Sequence, residues 1–265
     1  MSTPAMNPAD APSAAAPKGP GLRALWVLMG CEARMVMRDT SGLIIPLGMP
    51  LLILVTSAAS TVGETVRDGF TAFDLFVLPI VFVTVVALIG VINMPSFLAS
   101  YRKTGVLLRL GATPASPMFV LVAHALVSIA QAAIGIALAF GVALVFFGAN
   151  PPANPGVALA ILLLVTAAMY GVGMIIASLA PTQNSALAIG FVVFLAFAAM
   201  GGLFGGRQAL PPALAPLADW LPVGAGTDAL GAAWAGSAIP LAALLALAAT
   251  VAISAAVAGL FFRWE

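Results

Sequence analysis

Long apolar runs broken by short polar ones set the pattern of this chain. Six stretches reach the roughly 20 mostly apolar residues that a helix needs to cross a bilayer. They are Leu43–Thr61, Leu75–Ala99, Met118–Phe147, Val157–Leu179, Ser185–Phe204 and Ile239–Phe262. The third is long enough for a tilted span with one end outside the hydrocarbon. Only Ala180-Pro181-Thr182-Gln183-Asn184 separates the fourth from the fifth, which predicts a tight helical hairpin with Pro181 stopping the earlier helix.

Two flanks carry structure without the length or apolarity of a span. In Gly21–Thr40, Arg23, Glu32, Arg34, Arg38 and Asp39 interrupt a helical pattern of Trp26, Leu28, Met29, Met35 and Met37. The pattern predicts an amphipathic helix in the interface plane, its basic residues toward lipid headgroups; a plain extension of the first span is the alternative. Gly201–Ser237 is too Pro-rich to cross whole, and Pro211-Pro212 and Pro222 divide it. It predicts two short helices lying on or re-entering the outer leaflet, with Trp220 and Trp234 as interface anchors; an exposed loop is the alternative. The Ala-, Pro- and Ser-rich residues 1–20 read as a disordered tail, with no apolar core of a signal peptide.

Composition then fixes the class. The chain is 62% hydrophobic and 7% charged, with a mean hydropathy of +1.14. Soluble domains carry about 25% charged residues. The expected fold is therefore an all-α polytopic membrane protein of six spans. A net charge of +1 points to no nucleic-acid partner, and the single Cys31 permits no internal disulfide. Basic residues set the orientation. Lys18, Arg23, Arg34, Arg38, Arg102, Lys103, Arg109 and Arg263 fall on one side of the six spans, and only Arg67 and Arg207 on the other. That places both termini, and the loop after the second span, in the cytosol.

Catalytic chemistry has little to stand on. Lys103-Thr104 lacks the glycines of a phosphate-cradling loop, and no His/Cys cluster offers a metal site. A nucleophilic triad would have to use the one histidine, His124, without a nucleophile elbow. His124 reads as a packing or cavity-lining residue. Span interiors hold essentially no ionisable residue: Asp74 stands at an outer edge, and Asn93 and Gln131 are neutral. Ion-driven pumps mark their pathways with such groups, so energy has to come from elsewhere, or none is used.

Attention falls on Ser100–Pro117, SYRKTGVLLRLGATPASP. Val106–Leu110 can form one or two helical turns, with Thr113-Pro114 and Ser116-Pro117 breaking the helix before the next span. Composition leaves two readings open, a helix that docks on a soluble partner and a charged loop that fixes topology.

The residues Arg102 to Pro117 resemble the cytosolic loop of type-2 ATP-binding-cassette (ABC) exporter permeases, in particular the daunorubicin-resistance branch. That loop has a charged stretch, a Gly, a short Leu-rich helix and Ala-Thr-Pro-x-Ser-Pro. Leu210-Pro211-Pro212, Ala218-Asp219-Trp220-Leu221-Pro222 and Asp228-Ala229-Leu230 are similar to the family's segment before its last span. The chain departs at Thr104, where members often carry Glu. The resemblance implies a permease domain over residues 21–265 that exports a hydrophobic or amphipathic compound, drug or lipid, from the cytosol across the inner membrane of a bacterium. It implies a non-enzymatic chain that docks a separate ATPase subunit, which holds ATP and Mg, and that pairs with a second permease. Arg102, Lys103, Gly105, Val106, Leu107, Arg109, Leu110, Thr113 and Pro114 would form the coupling loop. Arg23, Trp26, Glu32, Arg34 and Arg38 on the interfacial helix would add a contact. Spans one, two and five would surround the path, with Phe76, Phe82, Asn93, Met94, Asn184, Phe191, Phe194, Phe197 and Met200 as lining candidates. A secondary transporter or channel without an ATPase, or a lipid-modifying enzyme, are the alternatives.

Overall fold

A computed structural model describes residues 22–61, 65–67, 69–105, 117–204, 206 and 210–261. The six apolar runs are six helices long and apolar enough to cross a membrane. The amphipathic flank is α1, Leu22–Arg38, which breaks at Asp39 and continues as α2, Thr40–Thr61, the first span. A small hairpin follows, β1 (Thr65–Arg67) against β2 (Phe70–Thr71), antiparallel, with Thr65 opposite Thr71.

The second span runs unbroken over Phe73–Lys103, longer at both ends than its apolar run. It alternates π and α geometry: a π turn at Phe73–Val77, α3 at Leu78–Ala87, a second π turn at Leu88–Asn93, then α4 at Met94–Lys103. Each α piece opens with a proline, Pro79 and Pro95, at a position where the ring is tolerated. The sequence pattern of apolarity carries no sign of the π turns.

Beyond it come α5 (Pro117–Phe147), α6 (Pro155–Leu179) and α7 (Gln183–Met200), spans three to five. The predicted hairpin is there. Pro181 lies between α6 and α7, and Thr182 caps α7 by accepting from Ser185 N while the Ser185 hydroxyl serves the Thr182 amide. After α7 stand α8 (Ala215–Trp220), α9 (Pro222–Trp234) and the sixth span, α10 (Leu241–Phe261).

Burial divides the spans. The second is 89% buried, the fourth 50%, and the other four 28% or less. The second span is thus the axle of the bundle. Its neighbours approach by glycines: a Cβ at Gly173 of α6 would overlap the Gly90 carbonyl, and one at Gly190 of α7 would overlap that of Val91. The outward faces of the remaining spans carry exposed Ile44, Leu52, Ile134, Leu159, Val192 and Ile253, as a surface bathed in lipid requires.

The segment between spans five and six splits as its prolines predict, but its two helices differ. The face of α8 is largely exposed, with Trp220 at 56%. In contrast, α9 is buried along almost its whole length. Trp234 is not an interface anchor. It is 3% exposed and packs edge-on against Phe82 and Phe140, with ring centroids 5.6 and 5.7 Å away. Small residues on α9, Gly224, Ala225, Gly226 and Ala229, let it sink among the spans.

Candidate functional site

On the face from which α1 enters, here called the basic face, three polar constellations join the elements. The first begins with Pro46 inside α2. In an α-helix the amide of residue 46 would bond the carbonyl of Gly42, and proline has no N–H. That carbonyl instead accepts from Asn93 Nδ2 of the second span (2.7 Å) and Gln131 Nε2 of the third (2.8 Å). The π turn at Leu88–Asn93 delivers Asn93 to this point. Asp39 caps α2 by accepting from Ser41 Oγ (2.8 Å) and Gly42 N (3.1 Å). A Cβ at position 42 would meet this carboxyl, so a side chain there would displace the Asp39 cap.

Beside this joint, spans one, two and five line a cleft of about 200 Å³. Asp39, Ser41, Asn93 and Gln183 supply polar groups; Ile45, Leu88 and Leu187 supply apolar walls. Among the described residues, no Lys or Arg lines it.

The second constellation is buried where α1 crosses the bundle. The Tyr101 hydroxyl donates to the Glu32 carboxyl, 2.6 Å from each oxygen, and His124 Nδ1 lies 3.0 Å from Glu32 Oε2. Ser128 Oγ stands 3.4 Å from the other imidazole nitrogen, and Phe97 packs on the ring at 5.0 Å. Glu32 therefore does not face headgroups with the arginines of α1; it is 5% exposed. The signal was in the sequence: Glu32 sits at helical spacing from Leu28, Met29 and Val36, on the apolar stripe of α1.

The third is Arg102, which donates to the carbonyls of Ala177 and of Ala180 (3.0 Å). Ala177 is four residues before Pro181, so its carbonyl too lacks a helical donor. Gly105, at φ 67°, then ends the second span.

Of the loop residues, Arg102 is half-buried in this contact and Lys103 is exposed. Val106, Leu107, Arg109, Leu110, Thr113 and Pro114 lie outside the described residues. On α1, Arg23, Trp26, Arg34 and Arg38 are exposed, Trp26 at 70%. The pathway candidates separate. Phe82, Met94 and Phe194 are buried inside the chain's own core, Asn93, Phe197 and Met200 are half-buried, and Phe76, Asn184 and Phe191 are exposed. Among these, only Asn93 lines the cleft.

On the opposite face Asp74 is fully buried, and not merely at a span edge. Its carboxyl accepts from Thr71 N and Oγ and from Asn150 N and Nδ2, all at 2.9 Å. Asn150 O in turn receives Trp234 Nε1 (3.0 Å). The ionisable groups Glu32, Asp74 and His124 are thus buried, but each is bonded within the chain. Among the described residues no group of three His, Cys, Asp or Glu could hold a metal.

Among the described residues, five apolar helices around a buried second span, with a basic face that binds a flanking amphipathic helix, define a polytopic membrane protein. The chain belongs to the ABC-2 type transporter family, which it matches over residues 23–235, from α1 through α9. It is accordingly the multi-pass membrane subunit of an ABC-type transporter. No curated protein matches it.

Proposed function

We propose that the chain is the permease of an ATP-driven exporter. A separate ATPase subunit, holding ATP and Mg, docks on the loop after the second span, and the chain pairs with a second permease, identical or related, in a bacterial inner membrane. The basic face is cytosolic on this reading, and cargo enters the cleft where spans one, two and five meet. The cleft's mixed lining suits an amphipathic compound, with a drug or a lipid as the class. The loop after the second span resembles that of the daunorubicin-resistance branch. The observation that carries the reading is the second span itself: the most buried helix of the bundle leads straight into the loop, so displacement there reaches every span it touches.

Replacing Arg109 and Leu110 with Asp tests this. The variant is expected to insert normally but to lose co-purification with the ATPase encoded beside it, and to lose ATP-dependent efflux across a dye and drug panel. Unchanged association and efflux would overturn the reading.

A further inference from the structure

We propose that Tyr101 and Arg102 are positioning residues that make α1, the end of the second span and the turn between spans four and five move as one body. The inference rests on the reading of the next loop as the ATPase contact, and it assigns how displacement there would be distributed.

Adjacent residues of an α-helix point about 100° apart. At the last turn of the second span, this sends two side chains to different neighbours. Tyr101 reaches Glu32 of α1, and Glu32 holds His124 of the third span. Arg102 reaches Ala177 and Ala180 at the end of the fourth. Both attachments are strong for their settings. The first places a carboxyl among donors in a buried pocket, where leaving a donor unpaired is penalised. The second brings a guanidinium to the carbonyl end of a helix, where the dipole favours a cation and Pro181 has removed a competing N–H. Lys103, one residue on, is exposed. The helix end is thus fixed on two sides within two residues, and Gly105 follows directly. A rigid-body displacement of that end would carry α1 and the turn with it.

Cys31, exposed on α1, is the only cysteine of the chain, and Asn184, just past the turn, is exposed. Spin labels on Cys31 and on Asn184→Cys report the distance between α1 and the turn. In the permease alone, in phosphatidylcholine/phosphatidylglycerol vesicles, one narrow distance distribution is expected. Tyr101→Phe and Arg102→Gln should each broaden it, and Arg102→Lys, which can still donate to a carbonyl, should restore it. With the ATPase subunit co-reconstituted, vanadate trapping should leave the distance unchanged in the parent and shift it in the two cut variants, while ATP hydrolysis persists. A merely stabilising role would lower yield without a nucleotide-dependent shift. If Tyr101→Phe fails to insert, Arg102→Gln alone decides. A parent distance that shifts on trapping, or cut variants as narrow as the parent, overturns the proposal. Failure of the ATPase to associate would instead overturn the functional reading, and the vesicle measurement on the permease alone would still judge the joint.

Discussion

Gly42 shows how much one position can carry. A side chain there would push aside the Asp39 cap, and the Gly42 carbonyl serves two other spans because Pro46 cannot use it. Such bonds between membrane helices contribute about 0.6 kcal/mol on average. Asn93→Leu is therefore expected to lower stability by about 1 kcal/mol, read as a reduced apparent melting temperature in detergent. In a Pro46→Ala background the helix regains its own donor to Gly42. The same Asn93→Leu change should then have little effect, a non-additivity that a double-mutant cycle measures. An additive pair would contradict this account of the carbonyl. The sequence displays Asn93 as a polar residue inside a span, and that much is legible. Its partner is not, because the acceptor is a backbone atom on another helix, exposed by a proline four residues away from it. Glu32 was more readable, since its place on the apolar stripe of α1 already demanded burial. What no pattern announces is that Tyr101 and His124 await it, since each is separated from it by dozens of residues.

At the level of elements, the six spans and the tight turn between the fourth and fifth follow from apolar length and proline placement. Their ends moved by a few residues; the second span grew at both, where Asp74 and Arg102 are drawn in by partners that cancel their polarity. Sequence apolarity misjudged α9 for the same kind of reason. The pattern predicts a short helix lying on or re-entering the outer leaflet, yet the glycines and alanines of α9 are what close helix packing selects. The far-face clasp of Thr71, Asp74, Asn150 and Trp234 fixes the start of the second span to the loop between α5 and α6 and to α9. Thr71 and Asp74 also form a capping box, with Asp74 N 3.3 Å from Thr71 Oγ. Asp74→Ala would leave several buried donors without an acceptor. It is expected to lower stability by about 3 kcal/mol, with Asp74→Asn retaining part of it, as judged by melting in detergent. Equal melting of Asp74→Ala and the parent would show that the clasp is dispensable.

For the whole molecule, the unequal burial of the spans matters most. An ABC-type membrane subunit needs a part that moves and a part that faces lipid, and here the second span is enclosed while spans one, three, five and six present wide apolar faces. The order of synthesis meets this arrangement head-on. The axle is made second, whereas α6, α7 and α9, which enclose much of it, are made later. Until they arrive, the π turn with Asn93, the nearby Ser96 and the buried Asp74 have only part of their final surroundings. A chain ending at Phe147 should therefore be short-lived in the membrane, and one ending at Met200 longer-lived, a difference that pulse-chase labelling measures. Equal lifetimes would argue against it. The helix that organises the finished protein is, during biogenesis, the one most dependent on quality control, and mutations that slow delivery of the later helices should act as defects of assembly before they act as defects of transport.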